Sequence, residues 1–105
     1  MNEADERVAP ETFARGALPP ATFEFLVLSL RAQAEMQLGL LFFGGETEKP
    51  KPDLELARHT IDTLSMLLDK TKGNLTLPEQ RSLENTLTEL RFRFIQISDD
   101  LQTQK

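Results

Sequence analysis

Residues 23–43 read FEFLVLSLRAQAEMQLGLLFF, and the way this stretch is wound decides the fold. Wound as a helix, it brings Phe23, Leu26, Val27, Leu30, Ala34, Leu38 and Leu41 onto one apolar stripe. At about 100° per residue, Phe25, Leu28, Ala32, Met36, Gly39 and Phe43 fall on the opposite side. Two narrow polar strips separate these faces, one of Glu24, Arg31 and Glu35, the other of Ser29, Gln33 and Gln37. A helix that is apolar on two sides needs cover on two sides, and the rest of the chain offers a single helical hairpin. The second face therefore predicts a homo-oligomer, in the simplest case a dimeric helical bundle whose interface contains Phe25, Leu28, Ala32, Met36, Gly39 and Phe43. Ala32 and Gly39 are small enough to let a second backbone approach. The stretch nears the length of a bilayer span, about 20 residues, but its three charges and two glutamines argue against a transmembrane segment.

Working outward, residues 1–20 mix acids with Ala, Pro and Gly and show no apolar period, the composition of a flexible acidic tail. They lack the apolar core of a signal peptide, so a cytoplasmic location is expected. Residues 21–105 then form one helical domain. Pro19-Pro20 disfavours helix before it, which places the first helix at about 22–42 with Thr22 as N-cap. Gly44-Gly45 is expected to stop it, and residues 46–52, with Lys49-Pro50-Lys51-Pro52, read as an extended connection.

A second helix, at about 53–72, carries Leu54, Ala57, Ile61, Leu64 and Leu68 at alternating spacings of three and four, with Leu56 and Leu67 widening the seam. Asp53 and Glu55 at its start and Lys70 and Lys72 at its end suit the helix dipole, and Gly73 stands where a left-handed residue closes a helix. Thr76-Leu77-Pro78-Glu79 has the form of a capping box opening a third helix, at about 77–101, whose stripe is Leu83, Leu87, Leu90, Phe94, Ile97 and Leu101. The short link between the last two helices makes them an antiparallel hairpin. Phe92 and Ile95 project away from that stripe and form a second candidate partner surface. The fold class is all-α, with a three-helix protomer.

The segments LELARHTIDTL at 54–64 and KTKGNLT at 70–76, with FLVLSL at 25–30, Leu38-Gly39 and LRFRF at 90–94, resemble a small bacterial family classified only as a domain of unknown function. The likeness covers about Phe23 to Ile97. It implies a short helical protein and supplies no activity, substrate or catalytic residue. The family's Pro-rich connection after the first helix is replaced here by Phe42-Phe43-Gly44-Gly45.

The formal charge of −5 speaks against nucleic acid, whose phosphates are held by clustered Lys and Arg, and against docking to an anionic membrane. With no Cys there is no thiol chemistry. His59, flanked by Glu55 and Asp62, is the one grouping with the elements of a hydrolytic or metal-dependent site, but one imidazole among solvated acids makes a poor transition-metal ligand set. Lys70-Thr71-Lys72-Gly73-Asn74 has the Gly turn and the lysines of an anion cradle without the spacing of a phosphate loop, and reads as a helix end. Arg91 and Arg93 alternate with Phe92 and Phe94, yet on a helix these residues diverge, so the arginines are expected to pair with Glu84, Glu89 or a partner's acids. No catalytic, cofactor or metal residues are assigned. The expected function is a non-catalytic interaction or structural module; the alternatives are an enzyme centred on His59, Glu55 and Asp62, and a peripheral membrane protein using Phe42-Phe43 as a wedge.

Overall fold

The computed structural model describes residues 18–41 and 51–103, and these form three helices: α1 (Phe23–Gln37), α2 (Leu54–Lys70) and α3 (Leu77–Thr103). Each begins at a side chain that supplies an acceptor to the free amides of the first turn. Thr22 Oγ1 accepts from the Phe25 amide at 3.0 Å, and Asp53 Oδ1 from the Leu56 amide at 3.1 Å. At α3 the capping box is reciprocal: the Glu79 amide donates to Thr76 Oγ1 at 3.2 Å and the Thr76 amide to Glu79 Oε1 at 2.8 Å.

The end of α1 departs from the sequence expectation. Gly39, with φ of +79°, stops the helix at Gln37, five residues before the expected boundary. The Leu40 amide donates to the Glu35 carbonyl at 2.8 Å and the Gly39 amide to the Met36 carbonyl at 3.0 Å, the paired bonds of a Schellman motif. Those bonds satisfy carbonyls that further helix would otherwise have used. Only glycine takes this left-handed conformation without the Cβ penalty. The expected stop at Gly44-Gly45 and the connection 46–50 lie outside the described residues, as do residues 1–17.

Helices α2 and α3 run antiparallel, as shown by what faces what: Arg91 of α3 donates to Ser65 of α2, Glu84 lies by Leu68, and Ile95 by Arg58. α1 lies against both. Its Gln37 carbonyl accepts from the Asp53 amide at 2.7 Å, which ties its end to the start of α2. Its Arg31 guanidinium reaches Glu89 of α3 at 3.0 Å.

Between the helices Val27, Ala34, Leu38, Ala57, Ile61, Leu64, Leu83, Leu87 and Leu90 form the buried core. The apolar spacings named these residues because successive helical positions three and four apart share a face. Three assignments need correction. Leu26 is 43% exposed, Leu56 50% and Leu101 36%, although all were placed on or beside core stripes; Leu101 lies near the end of the 27-residue α3, which outruns the 17-residue α2. Leu26 and Leu56 are left open among the described residues.

Candidate interaction surface

The outer face of α1 is the side turned away from Val27 and Ala34. Phe25 is 40% exposed, Leu28 57% and Met36 43%, and Ala32 between them is half-buried. Ser29 on the same side donates its hydroxyl to the Phe25 carbonyl at 2.9 Å, so it offers no unmet polar group. The centre of the strip is thus apolar and free of charge. At its edge Arg31 bonds Glu35 at 3.2 Å as well as Glu89, which holds those charges to the flank.

Of the other residues expected on this face, Gly39 is not part of it. It is buried in the turn that ends α1, because the chain bends there instead of continuing as helix. Phe43 lies outside the described residues. Phe92 and Ile95 stand on α3, 60% and 59% exposed, on an element separate from the α1 strip.

A polar clamp that periodicity did not reveal joins α1 to α2. Thr60, 2% exposed, donates to Gln37 Oε1 at 2.7 Å and accepts from Gln33 Nε2 at 3.3 Å. Gln33 and Gln37 stand one turn apart and read as a solvated strip. Their shared partner lies far away in sequence, and a buried threonine on a facing stripe was the only available signal.

The chemically suggestive groupings take ordinary surface and helix-end positions. Glu55, His59 and Asp62 are all exposed along α2, and no cluster of three or more His, Asp or Glu able to hold a metal occurs among the described residues. In the turn 70–74 the Asn74 amide is spent on the Thr71 carbonyl at 2.8 Å, and the amides at the start of α3 are engaged by its own capping box. The hollow beside that turn, about 220 Å³, is lined by Asp69 and Glu84 as well as Lys72, a charge balance that repels an anion. Arg93 lies 3.9 Å from Glu89 as expected, whereas Arg91 donates to Ser65 at 3.2 Å and not to Glu84 or Glu89. Among the described residues no helix is long and apolar enough to cross a membrane, and the proposed Phe42-Phe43 wedge lies outside them.

No curated protein and no solved structure is significantly similar to the chain. A family model does match, over residues 20–96, which takes in all of α1 and α2 and most of α3, and the chain accordingly belongs to the family described as Domain of unknown function (DUF1844).

Proposed function

We propose that the chain is a non-catalytic interaction or structural module that works as a homo-oligomer, two copies packing through the outer face of α1. The observation that carries this reading is the partial exposure of Phe25, Leu28 and Met36 on one strip of one helix. Full burial of a side chain of this size is worth about 1.5–3 kcal/mol, so covering the strip is favourable even though part of that burial is already achieved within one copy.

A second copy is the occupant that the charges favour. Each molecule carries a net −5, so two copies repel except where their facing surfaces lack carboxylates, as along Phe25, Leu28, Ser29, Ala32 and Met36. Ser29 and Ala32, small residues between the larger ones, allow the two helix axes to come within the usual 8–10 Å. A helix of 15 residues is about 22 Å long and offers a strip about 10 Å wide. That footprint is well below the roughly 800 Å² per partner of a standard interface, so the dimer dissociates readily on dilution.

Sedimentation equilibrium over a concentration series tests the proposal. The expected result is a monomer–dimer equilibrium that Phe25→Asp or Met36→Asp shifts to monomer without loss of helical circular dichroism. A wild-type chain that stays monomeric up to millimolar concentration, or a dimer indifferent to both substitutions, would rule out the α1 contact.

A further inference from the structure

The groove between α2 and α3 has a composition that the α1 contact does not explain. It is an open hollow of about 370 Å³ lined by Arg58, Ile61, Asp62, Arg91, Phe94 and Ile95, with no residue of α1. Ile61, 5% exposed, is its most buried lining residue, Phe94 is half-buried, and Ile95 is 59% exposed. Two guanidiniums and one carboxylate share this apolar hollow, a local excess of positive charge in a molecule where acids outnumber bases 17 to 12. Neither Arg58 nor Arg91 forms an ion pair with a described residue. Arg91 is tied to α2 by its bond to Ser65.

We propose that this groove binds a small amphipathic carboxylate, its alkyl body against Ile61, Phe94 and Ile95 and its head group held by Arg58 and Arg91. A guanidinium suits a carboxylate because its forked N–H donors match the two oxygens, and the apolar side chains beside it take the alkyl body. The volume falls at the small end of the roughly 300–1,000 Å³ of ligand pockets, which suits a single medium-length chain. Asp62 opposes the bound anion, and removing its charge therefore tightens binding.

Titration of the full-length, isotope-labelled chain with decanoate, followed by amide resonances, tests the site independently of self-association. Saturable shifts are expected at Ile61, Phe94 and Ile95. Arg58→Gln and Arg91→Gln each weaken binding about tenfold, as loss of one charge-assisted bond implies, and Asp62→Asn strengthens it. Decanol, which has a similar chain without the charge, binds more weakly than decanoate. Shifts confined to the α1 strip, equal binding of decanol, indifference to the arginine substitutions, or no saturable shift at millimolar decanoate would each overturn the assignment. Repeating the titration in Phe25→Asp keeps the two readings apart, since that substitution removes the α1 contact and leaves the groove intact.

Discussion

Thr60 shows what single residues contribute here. Its hydroxyl is the meeting point of Gln33 and Gln37 inside an otherwise apolar seam, and a buried hydroxyl without partners would cost more than the bonds return. Thr60→Val keeps the shape and removes both bonds, while the glutamines retain access to water. A loss of about 1 kcal/mol in urea unfolding is expected, with an unchanged dependence on denaturant. At this scale the sequence was most legible where partners are local. Thr22, Asp53 and the Thr76–Glu79 box cap amides within three residues of themselves, so their role is written in adjacent letters. Thr60 meets residues of another helix, and no spacing rule reaches that far.

Among the elements, α2 displays the clearest contrast between a buried and an open position. Leu64 is fully buried in the three-helix seam while Leu56, on the same helix, is half exposed. Leu64→Ala is expected to cost about 2–5 kcal/mol through lost transfer energy and the cavity left behind, whereas Leu56→Ala costs about 0.5 kcal/mol or less. Thermal or denaturant unfolding of the two variants checks the ranking, and equal losses would mean that Leu56 is covered in solution. Apolar periodicity correctly separated helix from loop and one face from another. It misjudged Leu26 and Leu56 because the width of a buried stripe depends on how neighbouring helices are placed around it. It also carried α1 too far, since Gly39 fits a continuous helical wheel as well as any small residue and only its positive φ and the amide bonds of Gly39 and Leu40 reveal a terminus.

For the molecule as a whole, stability and assembly are linked by mass action. If two folded copies bind each other and unfolded chains do not, the melting temperature rises with protein concentration. Wild-type chain is expected to show that dependence and Phe25→Asp to lose it, as read by circular dichroism at several concentrations. The three-helix architecture was legible because its helices are separated by strong punctuation, Pro19-Pro20, Gly44-Gly45, Lys49 to Pro52, and Gly73, even though the first helix ends earlier than that punctuation says. The α2–α3 groove was not, because Arg58 and Arg91 belong to different helices and acquire a common purpose only when the hairpin closes. The Arg31–Glu89 pair between α1 and α3 was equally hidden, and at its exposure it adds at most about 1 kcal/mol.

The bond from the Asp53 amide to the Gln37 carbonyl fastens the strand leaving one rod to the strand entering the next. Everything between those two atoms is a closed excursion, like a bight of rope gathered at its knot. Closure entropy grows only logarithmically, so doubling such an excursion costs about 0.6 kcal/mol. A change of length between them is therefore cheap, whereas Leu38 in the core and Gly39 in its left-handed turn are fixed by packing and backbone geometry.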